Sequence, residues 1–303
     1  MPEPSATPEI PSLIGPLPER LKLLYPFPSR FHRLSGDQFI HYLDEGEPSS
    51  HAVIMVHGNP SWSFLYRDLV FALRDTHRCI VPDHLGCGFS ARPPRRVSLG
   101  EHMENLASWI GSLGLDSFDL VVHDWGGPIG LGAVLSQFPA QLRKVIILNT
   151  AAFASLRIPL RIALCKTPLL GSGLIRGFNL FALSATRMAV TRPMSEAVSE
   201  GFLWPYRNSG TRRATADFVR EIPLGPWHSS YRVLRSIEET LPILKEKETL
   251  IAWGMKDFCF NPAFLREWQR RLPGATVLEF PEAGHYLLED TTPEQKSALI
   301  DFL

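Results

Sequence analysis

Short apolar segments alternate with helical segments along most of the chain, and this alternation restricts the fold more than any other feature of the sequence. The apolar runs are three to five residues long, end in turn residues and predict strands. The helical segments carry apolar residues at helical spacing, as at 99–113, where Gly114 marks the stop. The predicted strands are 39–43, 52–56, 79–82, 120–122, 144–148, 249–253 and 276–280, and the predicted helices are 99–113, 128–138, 264–272 and 293–303.

The predicted strands are hydrophobic almost without interruption, which is typical of strands buried on both faces of a parallel sheet. We therefore expect an α/β fold with a mostly parallel central sheet and helices on both faces. Between about 152 and 235 the alternation stops, and the sequence becomes helical and rich in proline. We predict a proline-rich arm at 1–24, a core at 25–152 and 236–303, and an inserted helical cap at 153–235. A cap above the carboxyl ends of the strands makes a closed pocket.

Charge and cysteine content exclude several classes of partner. Lys plus Arg and Asp plus Glu each number 31, so no overall field attracts nucleic acid. The four cysteines contain no C-x-x-C pair, which favours a reducing compartment, and we expect cytoplasmic localisation without a zinc site. Six prolines in the first 18 residues do not form a secretory signal. Four basic residues interrupt the apolar region 156–183, so we predict no transmembrane segment.

The segment VVHDWGGPIG, residues 121–130, places an aspartate where an apolar strand passes into a glycine-rich helix start. A strand, a sharp turn with one reactive side chain and a helix form a nucleophile elbow, in which the next backbone N–H faces an oxyanion. In this chain the elbow is VHDWG, with Asp124 where serine is commoner. Asp is also a favoured helix N-cap, so capping of the following helix is the alternative interpretation.

An elbow nucleophile requires an acid and then a histidine further along the chain. His285 lies in the loop PEAGHY, directly after the last strand that precedes the C-terminal helix, where this order requires the base. Two strand ends offer a polar residue for the acid, Asn149 after 144–148 and Asp257 after 249–253. Because Asn149 carries no negative charge, we predict Asp257 as the acid. A plain turn aspartate is the alternative for Asp257.

Several segments together resemble the haloalkane dehalogenase branch of the α/β-hydrolase superfamily, namely HDWGG, HGNPSWSFLYRDLV, PDHLGCGFS, WGMKD and EAGHYLLED. The resemblance covers most of the chain from Tyr25 onward and is weakest in the predicted cap. The acid after the late strand, combined with Asn59 and Trp125, is similar to the group (subfamily III type) that includes the β-lactone decarboxylases of bacterial olefin biosynthesis. The segments FLWPYRN, WGMKDFCF and AGHYLLED look closest to those decarboxylases.

The resemblance implies an α/β-hydrolase fold and a two-step reaction that needs neither cofactor nor metal. Asp124 attacks an sp³ carbon and forms an alkyl ester. Water activated by His285, which Asp257 orients, then hydrolyses the ester, so that a haloalkane yields halide and alcohol. The backbone N–H groups of Trp125 and Asn59 face the oxyanion, and their indole and amide N–H groups bind the leaving halide. Core packing and a loop turn are the alternative roles of these two side chains.

Other functions remain open at this point. A β-lactone decarboxylase, giving a long-chain cis-alkene and CO₂, is the alternative, because the same donors bind the carboxylate released on ring opening. An epoxide hydrolase is third, since Tyr206 and Tyr231 lie in the predicted cap but Asn59 and Trp125 have no role in that chemistry. Trp125 also argues against fluoroacetate dehalogenases, which carry arginines after the nucleophile. A binding module without activity would predict a broken triad.

The predicted cap indicates the kind of substrate. Its leucine-rich segment 156–183 indicates that the substrates are small apolar molecules with long chains. For the segment itself, we predict helices that pack on their own domain, and a segment that rests on a membrane is the alternative. Trp204 and Trp227 offer a further donor to the leaving group, although packing is the favoured interpretation for each. The sequence leaves homo-oligomerisation and the role of the arm open.

Overall fold

The computed structural model describes residues 14–157, 160–167 and 170–303. Within these ranges one sheet contains eight strands, which are β1 (Arg30–Arg33), β2 (Phe39–Glu45), β3 (Ala52–Val56), β4 (Arg78–Pro82), β5 (Phe118–His123), β6 (Leu142–Leu148), β7 (Glu248–Gly254) and β8 (Thr276–Phe280). Their order across the sheet is β1-β2-β4-β3-β5-β6-β7-β8. The first two pairs, β1 with β2 and β2 with β4, are antiparallel, and the remaining pairs are parallel. The predicted mostly parallel sheet is confirmed.

Helices follow the strands and fill the long connection between β6 and β7. They are α1 (Glu19–Lys22), α2 (Arg67–Leu73), α3 (Leu99–Ser112), α4 (Gly126–Gln137), α5 (Leu160–Cys165), α6 (Leu170–Phe178), α7 (Leu180–Met188), α8 (Glu196–Leu203), α9 (Arg213–Glu221), α10 (Ser229–Thr240), α11 (Pro262–Arg271), α12 (Leu287–Asp290) and α13 (Pro293–Phe302). Short 3₁₀ helices cover Ser63–Tyr66, Trp204–Tyr206 and Leu241–Glu246. Every helix in the described part of the chain is too short or too polar to cross a bilayer.

The central strands separate two apolar cores because successive side chains of a strand point to opposite faces. In β3, Ile54 and Val56 belong to one core, whereas Val53 and Met55 belong to the other. All five residues of β3 are buried. Burial of each such side chain stabilises the fold by roughly 1.5–3 kcal/mol, so the uninterrupted apolar run of this strand is explained by burial on both faces.

The sequence reading missed elements whose patterns are weak. The edge strand β1 has the sequence RFHR, in which charged residues replace an apolar run, and charged residues are a usual protection of a sheet edge. Helix α2 follows an aromatic stretch that resembles neither a strand nor a helix in spacing. Residues 1–13 of the predicted arm (1–24) lie outside the described residues. The remainder contains the short helix α1, whose Leu21 is buried.

The connection between β6 and β7 is helical, as the loss of alternation predicts, and it contains α5 to α10. Helix α10 packs against the core helices α3 and α4. The predicted boundary between cap and core, at 235/236, falls inside α10, so this helix connects the cap to the core. Helix α9 lies above the strand ends, where the main chain of Thr215 accepts a hydrogen bond from the side chain of Asn59.

Helix α4 approaches the sheet closely because glycine begins it. A Cβ atom on Gly126 would overlap the main-chain carbonyl of Val56 in β3. Since backbone atoms of a central strand cannot move aside, only glycine fits at this position. The glycine therefore sets the distance between the first turn of α4 and the sheet.

We expect Gly126→Ala to lower the free energy of unfolding by about 1–3 kcal/mol, because the added methyl group overpacks the contact with β3. Thermal or urea unfolding of the purified protein measures the change. Gly100→Ala in α3 is the matched control, since nothing lies within 4 Å of a Cβ atom there and alanine is the better helix former. Equal stability of the wild type and Gly126→Ala would contradict the close approach of α4.

Candidate active site

Asp124 occupies a strained turn between β5 and α4. Its φ is 50°, in the left-handed region that aspartate adopts more readily than most residues. Main-chain hydrogen bonds hold the turn, from the N–H of Asp124 to the carbonyl of Asn149 at 3.3 Å and from Gly127 to the carbonyl of Asp124 at 3.0 Å. Thr150 donates its hydroxyl to that same carbonyl of Asp124. The backbone therefore has the geometry of the predicted elbow.

The alternative interpretation, in which Asp124 caps α4, is wrong. Trp125 is the N-cap residue of α4, and the N-cap makes no side-chain hydrogen bond. The carboxylate of Asp124 instead accepts the main-chain N–H of Asn59 at 2.6 Å. Gly58 allows this approach, because a Cβ atom there would overlap the carboxylate.

Burial raises the pKa of the Asp124 carboxyl above its ordinary value. The positive field of His285 and the main-chain N–H groups of Asn59 and Trp125 oppose this rise. The two N–H groups are the pair predicted for the oxyanion, and both interact with the Asp124 carboxyl group. An ester formed on Asp124 would place its carbonyl oxygen at the position that Oδ1 occupies now.

His285 and Asp257 form a buried pair beside Asp124. Nδ1 of His285 donates to Oδ2 of Asp257 at 2.8 Å, and Nε2 lies 3.8 Å from Oδ2 of Asp124. The latter distance is too long for a direct hydrogen bond. Burial alone would lower the pKa of His285, but the charges of Asp257 and Asp124 outweigh it and raise the pKa above its ordinary value. The structure thus brings the three residues of the predicted triad together.

Asp257 is buried and fully hydrogen-bonded, which keeps its carboxylate oriented toward His285. Its Oδ1 accepts the main-chain N–H groups of Cys259 at 2.6 Å and Phe260 at 3.1 Å. Its Oδ2 also accepts Nδ2 of Asn149 at 3.0 Å. Asn149, the rejected candidate for the acid, therefore lies against the acid itself, and the sequence reading did not find this contact.

His123, directly before Asp124, is a second residue near the site that the sequence reading missed. Its Nε2 donates to the main-chain carbonyl of His285 at 2.8 Å. Burial lowers the pKa of His123 well below its ordinary value, so the ring is neutral. The only sequence signal for this contact is that a histidine directly precedes Asp124.

Asn59 and Trp125 lie beside Asp124 and contact the cap. Nδ2 of Asn59 donates to the carbonyl of Thr215 in α9 at 3.3 Å. The ring of Trp125 packs against Phe218 in α9, with 5.6 Å between the ring centroids. Both residues line the cavity that Asp124 and His285 also line. The first helical turns of α9 therefore close the site above the two predicted donors.

The cavity has a volume of about 370 Å³ and lies between the sheet and the cap. Asp124 and His285 are its buried ionisable groups, and most of its wall is apolar. The apolar wall includes Phe153, Ile162, Leu174, Ile175, Phe181, Val219, Leu234, Phe260 and Phe264. Among the residues that the structure describes, no cluster of His, Cys, Asp or Glu is arranged to hold a metal ion. A site of this composition suits an apolar substrate that carries one polar reacting group.

The other cap residues considered from the sequence lie outside this wall. The hydroxyl of buried Tyr206 donates to the carbonyl of Ser61 at 2.8 Å, and Tyr231 does not line the cavity. Trp204 packs beneath the guanidinium of Arg207, as expected. Trp227 is 81% exposed, so the prediction that its side chain packs against the protein is wrong. These positions do not support tyrosine-assisted epoxide opening.

The chain is similar to several known proteins. A family model described as the alpha/beta hydrolase fold matches residues 51–292. The chain is 42% identical over 282 residues to the cis-3-alkyl-4-alkyloxetan-2-one decarboxylase of Shewanella oneidensis, covering 90% of this chain and 87% of that protein. It is 33% identical to haloalkane dehalogenase 2 of Mycobacterium tuberculosis, covering 92% and 96%. The crystal structure of the haloalkane dehalogenase DbeA from Bradyrhizobium elkani superimposes with a TM-score of 0.81 at 22% identity, covering 91% and 97%.

Proposed function

The chain belongs to the alpha/beta hydrolase family, and within that family we propose that it is an enzyme that decarboxylates β-lactones with two long alkyl chains. The substrate is a cis-3-alkyl-4-alkyloxetan-2-one, and the products are a cis-alkene and CO₂. The observation that carries the proposal is the buried carboxylate of Asp124, held by a main-chain N–H in an apolar cavity. The choice of a lactone over a haloalkane rests on the higher identity to the decarboxylase, 42% against 33%.

In the first step the ionised carboxylate of Asp124 attacks C4 of the lactone on the side opposite the ring oxygen. A carboxylate needs no general base for this attack. The bond between C4 and the ring oxygen breaks as the ester bond to Asp124 forms. The ring oxygen leaves as part of a carboxylate that stays attached to C3, and the strain of the four-membered ring is released.

In the second step the bond from C3 to the new carboxylate breaks and CO₂ leaves. The electron pair of that bond forms the double bond between C3 and C4, and the ester bond breaks to return the carboxylate of Asp124. Back-side attack has placed the ester and the carboxylate on opposite sides of the C3–C4 bond. An anti elimination then gives a cis-alkene from a cis-lactone without bond rotation, and no water is consumed.

We assign Asn59 and Trp125 to the carboxylate that ring opening releases. Their amide and indole N–H groups are neutral, directional donors, and both residues line the cavity next to Asp124. An arginine in their place would form an ion pair with the carboxylate and oppose the loss of CO₂. Nδ2 of Asn59 donates to the carbonyl of Thr215 at 3.3 Å, a long hydrogen bond that the substrate carboxylate replaces.

Haloalkane dehalogenation is the second candidate function, and the position of His285 favours it. Nε2 lies 3.8 Å from Asp124, which leaves the base free to act on water instead of on the nucleophile. Water activated in this way would hydrolyse the alkyl ester at Asp124, with Asp257 stabilising the imidazolium. This reaction releases halide and an alcohol, and Asn59 with Trp125 would then bind the halide.

The pH dependence of ester hydrolysis follows from the titration of His285. A general base must be neutral, so hydrolysis is lost as the pH falls through the pKa of His285, which the charge of Asp257 raises and which the neutral ester on Asp124 no longer raises. We expect single-turnover release of alcohol from an alkylated enzyme to fall on the acid side of that pKa, while the alkyl adduct accumulates. A hydrolysis rate that is unchanged down to pH 5 would contradict the role of His285 as the base.

The experiment that separates the two functions is a parallel assay of a long-chain bromoalkane and a cis-3,4-dialkyl β-lactone with the same preparation. Bromide is measured for the first substrate, and cis-alkene with CO₂ for the second. Alkene formation without appreciable bromide supports the decarboxylase. Bromide and alcohol without alkene would replace it with the dehalogenase, and activity on neither substrate would contradict both.

We also propose that the enzyme works in the reducing cytoplasm. The four cysteines are free thiols in the structure, and Cys79 and Cys87 are buried in the core. A core of this size needs no disulfide bonds for its stability, which supports that location.

A further inference from the structure

The first half of the cap, together with helix α4 and strand β6 before it, has an unusual charge composition. The whole chain carries 31 acidic and 31 basic residues, but residues 125–195 contain no Asp or Glu and eight Lys or Arg. Six of these eight basic residues lie in the cap segment, between 151 and 195. This part of an otherwise balanced protein therefore carries a local positive charge.

Helix α7 within this segment has its apolar residues on the wrong side for an ordinary surface helix. Leu180, Leu183, Arg187 and Met188 are exposed, at the spacing of one helical face. Apart from Phe181, which is partly buried against the cap, the inward side chains are small, such as Ala182, which is buried. A helix that only packs on its own domain turns its large apolar residues toward the core, so the outward face of α7 requires another explanation.

Further large apolar side chains are exposed near α7. Phe178 is 71% exposed, and Leu156 and Leu164 are about half exposed. Single exposed apolar residues are common, whereas several in one region mark an interaction site. We call the exposed side chains of the described residues between 156 and 188 the mouth surface.

The mouth surface surrounds the entrance of the catalytic cavity. Five residues are exposed and also line the cavity, and all of them belong to the mouth surface. They are Arg157, Leu164, Leu180, Ser184 and Met188. A substrate that enters by this route passes through the basic, apolar part of the cap.

The arginines of the mouth surface have no carboxylate partner in the described part of the chain. Arg157, Arg176 and Arg187 are exposed, and no ion pair of the described residues includes them. Three of the four acids elsewhere in the cap, Glu200, Asp217 and Glu221, are already paired with arginines, and the fourth, Glu196, forms no ion pair with the arginines of the mouth surface in the described part of the chain. The positive charge of the mouth surface is thus available to an external anion.

We propose that the mouth surface docks on a lipid bilayer that contains anionic phospholipid, with the apolar side chains in the interface and the arginines at the headgroups. Apolar residues combined with basic residues are the composition that binds such interfaces. A second copy of this chain fits less well, because a symmetric contact would place arginines opposite arginines. The further consequence, that long-chain lactones enter the cavity directly from the bilayer, rests on the proposed function.

Vesicle binding tests docking without any substrate, so its outcome is independent of the proposed reaction. The full-length protein is sedimented with vesicles of phosphatidylcholine alone or with about 25% phosphatidylglycerol. We expect binding to the anionic vesicles to be at least about fivefold stronger and to weaken with added salt. Protein that stays in the supernatant with both vesicles overturns the proposal.

Two pairs of variants locate the surface, and each pair carries the same change of charge. Phe178→Glu is expected to weaken vesicle binding about tenfold or more, whereas Leu23→Glu, at an 82% exposed position outside the mouth surface, leaves it unchanged. Arg187→Glu is expected to weaken binding at least about fivefold, whereas Arg266→Glu, at an exposed position of α11, does not. Because all four side chains are exposed, circular dichroism should show intact folds.

Equal loss of binding in a variant and its matched control would overturn the location of the surface. Sedimentation velocity tests the other possible occupant of the mouth surface, a second copy of the chain. A dimer that Phe178→Glu converts to a monomer, without vesicle binding by the wild type, would assign the mouth surface to a second copy of the chain.

Discussion

Asp124→Asn is expected to reduce turnover of the β-lactone, and of a haloalkane where the wild type accepts one, by at least about 10⁴-fold, a loss typical of removing the nucleophile from a triad. The amide has the shape of the carboxylate but lacks the charge that attacks carbon. Asparagine also adopts the left-handed backbone conformation that position 124 requires. The substitution therefore changes the chemistry while keeping the elbow.

The measurement for Asp124→Asn combines steady-state rates with substrate binding. Binding should persist, because the apolar wall of the cavity is unchanged. Asp301→Asn in α13 is the matched control, since its side chain is exposed and distant in sequence from the site, and it should retain full activity. Turnover by Asp124→Asn within tenfold of the wild type would exclude Asp124 as the nucleophile.

The central sheet was predictable because its strands are buried on both faces. The predicted ranges 52–56 and 276–280 coincide with β3 and β8, and the others differ from the observed strands by a few residues at the ends. Burial on two faces demands an uninterrupted apolar run, which turn residues then end. The edge strand β1 has no such requirement, because solvent reaches it, and its sequence carries no comparable signal.

The proximity of Asp124, His285 and Asp257 was predictable because chain order and strand ends suffice to place these residues at one edge of the sheet. Loops after parallel strands meet at one edge of the sheet, so the turns after β5, β7 and β8 had to converge. The contacts that orient the triad were not predictable. Asn149 donates to Asp257 and His123 donates to the carbonyl of His285, and such pairings depend on side-chain rotamers that no sequence pattern specifies.

The cap was the least predictable part, because short helices take their orientation from tertiary packing and not from their own pattern. Trp227 was expected to pack and is exposed, whereas Trp204 packs beneath Arg207. The leucines of α7 likewise face outward although their spacing would also fit a buried face. The apolar composition of the cap was therefore a sound guide to the cavity and a poor guide to the direction of its side chains.

His285→Gln is expected to separate the two chemistries, because only one of them consumes water. Glutamine can still donate an N–H to Asp257 but cannot act as a base at neutral pH. With a bromoalkane that the wild type turns over, we expect one equivalent of bromide per active site and then arrest, since ester hydrolysis slows by at least about 10³-fold. Intact-protein mass spectrometry should show the added alkyl group on Asp124.

With the cis-β-lactone, His285→Gln should continue to form alkene over many turnovers, because loss of CO₂ returns the carboxylate of Asp124 without water. His32→Gln on the edge strand β1 is the control for histidine removal and should behave as the wild type with both substrates. An adduct with the full mass of the lactone, accumulating in His285→Gln without alkene, would show that fragmentation needs the imidazole. The water-free second step would then be wrong, whereas covalent attack of Asp124 on the lactone would stand.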